Sequence, residues 1–190
     1  MAIKLIVGLG NPGPEYQKTR HNAGVWFIDE ITSQYPTVLK SEKKFFGHSG
    51  KIQIAGQEVF LLIPNTFMNR SGQSVAALCN FYKIKADEVL VVHDELDLEP
   101  GSVRLKCGGG HGGHNGLRDI ISQLGSKEFY RLRLGIGHPG SKDQVTAYVL
   151  GKPPKGDTAA IKQCLEDCVM HLDKIISGDH QAAMNVLHQS

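Results

Sequence analysis

Short apolar runs alternate with amphipathic helical patterns along the chain. The apolar runs predict strands at residues 3–9, 50–55, 58–63, 89–93, 103–107 and 131–136. Hydrophobic positions at helical spacing predict helices at residues 22–35, 71–83, 115–125, 158–177 and 180–188. Because strands and helices alternate, we predict an α/β fold, a single three-layer domain over residues 1–190 with a mixed, mostly parallel sheet flanked by helices.

The loop after the first predicted strand has the glycine spacing of a dinucleotide-binding loop, GLGNPG at residues 8–13. Such a loop requires a helix that opens at the second glycine and points its N-terminus at a pyrophosphate. Pro12 and Pro14 stand where that helix would begin, and each disfavours helical geometry at the residue before it. We therefore predict no nucleotide cofactor here, but a loop that presents Asn11 and then Tyr16, and that places His21 and Asn22 at the entrance to the next helix.

Polar side chains follow three of the predicted strands at the points where those strands end. They occupy residues 11–21 after the first strand, 93–95 after the fourth and 111–115 after the fifth. Ligand sites of open α/β sheets collect outside the carboxyl ends of the strands, so we expect one active site there. His21 is the candidate general base, because imidazole titrates near neutrality. Asp94 is the candidate partner that orients it, and this pairing favours catalysis over a purely structural histidine.

The glycine-rich segment at residues 108–116 allows several interpretations. Its glycines permit close backbone approach, and the helix that follows would expose N–H groups suited to an anion. A flexible turn with a helix cap at Asn115 is the structural alternative. A P-loop is disfavoured, because no GK[ST] sequence follows. No histidine pair at helical ligand spacing supports a metal site, and we predict none, although the donors for one would be His21, Asp94, His111 and His114.

Composition is typical of an ordinary soluble globular protein, with 41% hydrophobic and 21% charged residues. No apolar run approaches the ~20 residues of a membrane helix, and the N-terminal residues lack the layout of a signal peptide. The four cysteines do not have the spacing of a disulfide framework. We therefore expect a cytoplasmic protein with reduced thiols and no membrane contact.

The net charge is only +2, but the positive charge is unevenly distributed. Residues 102–142 contain seven lysines and arginines against two acids, whereas from residue 157 onward five acids oppose two lysines. A basic segment of this kind is typical of a surface that binds a polyanion. A solvated charged face explains the same distribution equally well.

Five ordered blocks of the sequence resemble the motifs of bacterial peptidyl-tRNA hydrolases. Two of them look like the family's signatures, YQKTRHNAG at residues 16–24 and GGHNGLRD at residues 112–119. The others are TFMNRSG at residues 66–72, HDELD at 93–97 and GIGHPG at 135–140. The resemblance extends over essentially the whole chain.

This resemblance implies a monomeric, cytoplasmic, metal-free esterase that cleaves the ester between a peptide and the 3′-terminal ribose of tRNA. It implies that His21 activates water and that Asp94 orients His21. Asn69 and Asn115 would hold the substrate carbonyl and the peptide backbone, and Asn11 would help to recognise the blocked amino end. Further substrate and tRNA contacts would come from Tyr16, Phe67, Met68, His114, Lys106 and Arg133. The segment 138–152 would form a mobile rim over the cleft.

Two other function classes stay open at this point. An RNA-binding protein without turnover would keep the basic segment, but intact His21, Asp94 and Asn69 argue against it. A metal-dependent amidase or nuclease would need a bound ion. An ester needs no covalent nucleophile, and the chain has no GxSxG motif, so hydrolysis by a histidine-activated water is the favoured prediction.

Overall fold

The computed structural model describes residues 2–188. Met1, Gln189 and Ser190, which the predicted domain includes, lie outside the described residues. The strands are β1 Leu5–Gly8, β2 Lys40–Glu42, β3 Gly47–Ile54, β4 Gln57–Pro64, β5 Val89–Glu95, β6 Val103–Cys107 and β7 Tyr130–Gly135. The α-helices are α1 Ala23–Gln34, α2 Ser71–Tyr82, α3 Asn115–Leu124, α4 Val145–Val149, α5 Lys155–Met170, α6 Leu172–Ile176 and α7 His180–Leu187.

One sheet contains the seven strands of the described residues, in the order β2-β3-β4-β1-β5-β7-β6. At its centre, β4, β1, β5 and β7 run parallel to one another. The pairs β2–β3, β3–β4 and β6–β7 are antiparallel. The prediction of a mixed, mostly parallel sheet flanked by helices is therefore confirmed. The apolar run from Val89 to Val92 is fully buried in β5, as expected for a central strand covered on both faces.

Helices cover both faces of the sheet, because successive side chains of a strand point to opposite sides. In β1, Ile6 belongs to the core that includes Phe27 of α1 and the buried side chains of α5, α6 and α7. Leu5 and Val7 belong to a second core, with α2 and α3. One core on each face gives the three layers. No helix within residues 2–188 is both long enough and apolar enough to cross a membrane.

Several elements differ from the sequence-based prediction for physical reasons. β2 has a wholly polar sequence, so no apolar period marks it, and its pairing with β3 holds it at the sheet edge. α4 has five residues, which is too short a stretch to show a helical period. The predicted helix at 158–177 begins earlier, after Pro154, and is interrupted at His171, where φ is −107° and ψ is 17°.

β6 runs antiparallel to β7, so its carboxyl end lies at the opposite end of the sheet from the carboxyl ends of β1 and β5. The prediction that residues 111–115 directly follow a strand end on that side of the sheet is therefore wrong, although the chain does bring them there. Cys107, the last residue of β6, pairs with Tyr130, the first residue of β7. The chain then returns along β7 until the side chain of His114 reaches Asp94.

Candidate active site

A cleft of about 700 Å³ lies at the carboxyl ends of β1 and β5. The predicted site residues that line it are Asn11, His21, Phe67, Met68, Asn69, Asp94, Lys106, His114, Asn115 and Arg133. Tyr16 does not line it; its ring lies edge-on to that of Phe67, with the centroids 6.3 Å apart. Residues that are distant in the sequence thus meet in one cavity.

Close packing of α1 on the sheet brings His21 to this cleft. A Cβ atom on Gly24 would lie 2.2 Å from the carbonyl oxygen of Val92, and one on Gly8 would lie 2.5 Å from the carbonyl oxygen of Gly24. Only glycine fits at these positions, and His21 lies just before α1 in the short 3-10 turn Arg20–Asn22. Packing therefore accounts for Gly8 in the dinucleotide-like sequence.

His21 and Asp94 form the central hydrogen bond of the cleft. His21 Nδ1 lies 2.9 Å from Oδ2 and 3.0 Å from Oδ1 of Asp94, and the exposed fractions of the two side chains are 13% and 2%. Burial by itself would lower the pKa of His21, but the charge and the hydrogen bond of Asp94 outweigh it and raise the pKa. Because Nδ1 donates to the carboxylate, Nε2 of the neutral ring is left as the proton acceptor.

His114 is a second donor to the same carboxylate. Its Nε2 lies 2.8 Å from Oδ1 of Asp94, and its Nδ1 accepts the backbone N–H groups of Gly116 and Leu117 at 3.2 and 3.3 Å. Since Nδ1 is an acceptor, we infer that the proton of this ring is on Nε2. His114 is therefore the N-cap of α3. The structural alternative, a cap at Asn115, is wrong, because Asn115 is the first residue of the helix.

The two histidines keep Asp94 ionised. Burial alone would raise the pKa of this carboxyl, but the interactions with His21 and His114 hold it well below its usual range. His93 supports the same residue from within the protein, since its Nδ1 donates to the backbone carbonyl of Asp94 at 2.8 Å. Burial, followed by the neighbouring His114, lowers the pKa of His93, so this ring stays neutral. No role was predicted for His93, although its position next to Asp94 is a signal.

Asn22 holds Asn11 in place. The Oδ1 of Asn22 accepts from the backbone N–H of Asn11 at 2.9 Å, and its Nδ2 donates to the backbone carbonyl of Asn11 at 3.0 Å. Asn11 Oδ1 in turn accepts the backbone N–H of Met68 at 2.7 Å. Within residues 2–188, Asn11 Nδ2 has no hydrogen-bond partner and is available to a ligand. Asn22 was predicted to lie beside His21 at the entrance to the helix, but its role in holding Asn11 was not predicted.

Further groups of the cleft are available to a ligand. The side-chain amides of Asn69 and Asn115 make no hydrogen bond to any residue in the described range. Asn69 lies on the 3-10 turn Met68–Arg70, and Asn115 opens α3. Phe67 is 59% exposed and offers an apolar surface beside them. The cleft therefore combines the candidate base, His21, with neutral hydrogen-bonding groups.

The donor set does not suit a metal ion. His21, Asp94 and His114 place one ligand atom each within 4.8 Å of one another. However, His114 already uses Nδ1 as the acceptor of the α3 cap, so coordination through Nε2 would require a ring with no proton on either nitrogen. The same geometry lets both histidines donate to Asp94 without an ion.

The family model for peptidyl-tRNA hydrolase matches residues 5–190. The chain belongs to the peptidyl-tRNA hydrolase family. It is 59% identical to the peptidyl-tRNA hydrolase of Colwellia psychrerythraea over 189 residues, which cover 99% of this chain and 97% of that protein. It is 56% identical to that of Pectobacterium atrosepticum over 188 residues, which cover 98% and 96%. The crystal structure of peptidyl-tRNA hydrolase from Acinetobacter baumannii matches with a TM-score of 0.95 and 49% identity, and covers 98% of this chain and 95% of that one.

The family predicted from the five sequence blocks is therefore confirmed, and with it the prediction of an enzyme. In this member of the peptidyl-tRNA hydrolase family, Arg131 guides the glycine-rich segment to the active site. Its guanidinium donates to the carbonyl oxygens of Gly109 and Gly110. Gly108 N–H donates to the carbonyl of Phe129 at 3.0 Å, so the segment follows β7 from its first contact.

The basic segment of this hydrolase is less available to a polyanion than its composition suggests. Arg131 is only 2% exposed. Arg133 Nε lies 2.9 Å from Oε1 of Glu95, an acid that lies outside the segment in sequence. Lys106 lies on the cleft and has no ion-pair partner among residues 2–188. Lys106 is therefore the more available of the two predicted phosphate contacts.

Proposed function

We propose that this chain hydrolyses the ester between a peptide and the 3′-terminal ribose of tRNA, with water activated by His21 and without a covalent intermediate. The observation that carries the proposal is the pair of His21 and Asp94. Nδ1 of His21 donates to the buried carboxylate of Asp94 at 2.9 Å, which leaves Nε2 of His21 to accept a proton. The family to which the chain belongs supports the substrate class.

In the first step, His21 Nε2 takes a proton from water while the water oxygen attacks the ester carbonyl carbon. The charge of Asp94, 2.9 Å away, stabilises the imidazolium that forms. His114 keeps that carboxylate oriented and ionised through its own bond to Oδ1. His114 does not compete as a base, because its one acceptor nitrogen caps α3.

The tetrahedral intermediate carries negative charge on the former carbonyl oxygen, and preorganised neutral amides suit such a group. Asn69 and Asn115 line the cleft and offer N–H groups for this purpose. In the second step, the bond between the carbonyl carbon and the ribose oxygen breaks. The 3′ oxygen leaves with the proton that His21 took from water, so the products are a peptide carboxylic acid, which ionises, and free tRNA.

Asn11 is placed to select substrates with a blocked amino end. Asn22 fixes its backbone and Met68 N–H engages its Oδ1, so the direction of Nδ2 is set. Nδ2 can donate to a peptide carbonyl, whereas the ammonium of an unblocked aminoacyl-tRNA would lose hydration without gaining an acceptor from this group. Phe67, with Tyr16 beside it, offers an apolar surface to the peptide.

Lys106 and Arg133 are the proposed contacts for tRNA phosphates. A phosphate at Arg133 would have to compete with Glu95, so Lys106 should contribute more. We further propose that the protein acts as a monomer in the cytoplasm. The mobility of the segment 138–152 remains a prediction.

Incubating the purified protein with a blocked peptidyl-tRNA and with an unblocked aminoacyl-tRNA, with and without chelator, tests these proposals. We expect free tRNA to be released from the blocked substrate, much less from the unblocked one, and no effect of the chelator. Binding of tRNA without release would instead indicate a non-catalytic RNA-binding protein. Loss of activity with chelator would indicate a metal-dependent hydrolase.

A further inference from the structure

Arg20, the residue before His21, is a buried arginine without an acidic partner. It is 9% exposed, and no carboxylate among residues 2–188 lies within the 4.0 Å of an ion pair. Its Nε is buried and has no hydrogen-bond partner within the same residues. A buried charge without an opposite charge costs folding free energy, so stability does not explain this arginine.

The guanidinium of Arg20 is directed at the last turn of α4. Nη1 donates to the carbonyl oxygen of Tyr148 at 2.8 Å, and Cζ lies 3.8 Å from the centroid of the Tyr148 ring. The backbone N–H of Arg20 donates to the carbonyl of Gly151 at 3.0 Å. Tyr148 continues the contact to the sheet, since its hydroxyl donates to the carbonyl of Ile136 at 2.6 Å.

α4 is one wall of the cleft, where Val145, Thr146 and Val149 line it. Arg20 and His21 are consecutive residues of a single 3-10 turn. The 3-10 turn that contains His21 therefore also contains the residue that binds α4.

We propose that Arg20 is a positioning residue which, together with Tyr148, holds α4 against the His21 turn and so sets the distance between His21 and the cleft wall that α4 forms. This inference rests on the proposed function, because the wall matters for turnover only if the ester is cleaved at His21. Because Arg20 holds α4, any motion of the rim 138–152 would be restricted to the residues before α4.

Arg20→Met is the first test, because it removes the charge and the hydrogen-bond donors but keeps an unbranched side chain. We expect its Tm to equal or exceed that of the wild type, since an unpaired buried cation is removed. We expect kcat/KM to fall about ten- to hundredfold, the scale of a misplacement of about 1 Å. Arg20→Lys keeps the charge without the planar group and should lose activity to a similar extent. Recovery of most of the activity by lysine would mean that the charge, not the grip on Tyr148, is what matters.

Two further variants disturb the contact while leaving Arg20 in place, so the test does not depend on the folding of Arg20→Met. Tyr148→Phe removes the bond to Ile136. A Cβ on Gly151 would lie 3.1 Å from Arg20 Nη1, so Gly151→Ala crowds the guanidinium. We expect each to lower kcat/KM about fivefold, the equivalent of roughly one hydrogen bond. The matched controls are Tyr35→Phe at the end of α1 and Gly156→Ala, where a Cβ meets nothing within 4 Å.

Amide hydrogen exchange separates positioning from a general loss of stability. We expect faster exchange at residues 145–151 in Arg20→Met, Tyr148→Phe and Gly151→Ala, and unchanged exchange in the central strands. The proposal is wrong if these variants keep kcat/KM within about twofold of the controls, or if activity falls without the local change in exchange. Should the wild type release no tRNA at all, the proposed function fails, while the exchange comparison still tests the grip of Arg20 on α4.

Discussion

Replacing Asp94 with asparagine preserves the size of the side chain but leaves one acceptor oxygen for two histidine donors. The carboxylate accepts from His21 Nδ1 and from His114 Nε2. An amide has one oxygen and one NH₂ group, so one of its two ends becomes a donor. His114 cannot shift its proton to Nδ1 without losing the cap of α3. We therefore expect the amide oxygen to face His114 and the NH₂ group to face His21.

The consequence is the wrong tautomer of His21. With an NH₂ group about 2.9 Å from Nδ1, the ring is stabilised with its proton on Nε2 and cannot accept a proton from water. The imidazolium also loses its counter-charge, which at a separation of ~4 Å and an effective dielectric constant of ~20 is worth ~4 kcal/mol, or about 10³-fold. The equivalent replacement in a Ser-His-Asp triad lowers kcat by about 10⁴. We expect Asp94→Asn to lower kcat by about 10³- to 10⁴-fold.

The assay is tRNA release from a blocked peptidyl-tRNA, with kcat/KM followed against pH. His21 must be neutral to act as a base, so activity falls as pH drops through its pKa, which Asp94 raises above the usual imidazole value. Without that charge, burial dominates and lowers the pKa. The acidic limb of the residual activity should therefore move to lower pH in Asp94→Asn.

A double variant tests whether the tautomer of His21 causes the loss of activity in Asp94→Asn. His114→Ser retains a capping oxygen for α3 but is too short to reach position 94. In Asp94→Asn/His114→Ser the amide oxygen is free to turn to His21, which restores the accepting tautomer. We expect the double variant to be about tenfold more active than Asp94→Asn alone. A loss smaller than about tenfold in Asp94→Asn, or a double variant no more active than Asp94→Asn, would refute the assignment of the loss to the wrong tautomer.

Three further predictions concern the base, the amino-end contact and the tRNA contacts. His21→Ala should lower kcat by about 10²- to 10⁴-fold with folding intact, and near-normal turnover in a folded variant would exclude His21 as the base. Asn11→Ala should narrow the rate difference between blocked and unblocked substrates; if both rates fall together, Asn11 is only structural. In Lys106→Ala, the slope of log tRNA affinity against log salt concentration should become less negative by about 0.7 to 0.9, the value of roughly one phosphate contact. The change should be smaller in Arg133→Ala, because Arg133 already binds Glu95. Coincident lines for both variants and the wild type would mean that tRNA binds elsewhere.

The sequence determined those features that local pattern encodes. The apolar run from Val89 to Val92 marks a central strand, and that strand sets Asp94 near its carboxyl end. The signature around His21 identified the family, which the family model confirms. The same signature predicted His21 as the base. Residues such as Asn69 and Asn115 were found by motif, and the structure places both in the cleft with His21.

Only the tertiary structure decided how these residues are partnered. His114 was predicted as a substrate or tRNA contact, and the structure shows that it donates to Asp94 and caps α3. Arg133 was predicted as a phosphate contact, and its guanidinium donates to Glu95, which lies 38 positions earlier in the chain.

The direction of β6 shows why contacts between distant residues are not predicted from the sequence. Its alternating side chains would fit either strand direction, and pairing with β7 sets it antiparallel. That choice makes the glycine-rich segment return along β7 to reach the cleft, a path held by Arg131. Periodicity records which face of an element is buried, because burial repeats with the local geometry. Strand order and hydrogen bonds between distant residues leave no such repeat, because they are decided by which buried surfaces and polar groups the folded chain can satisfy together.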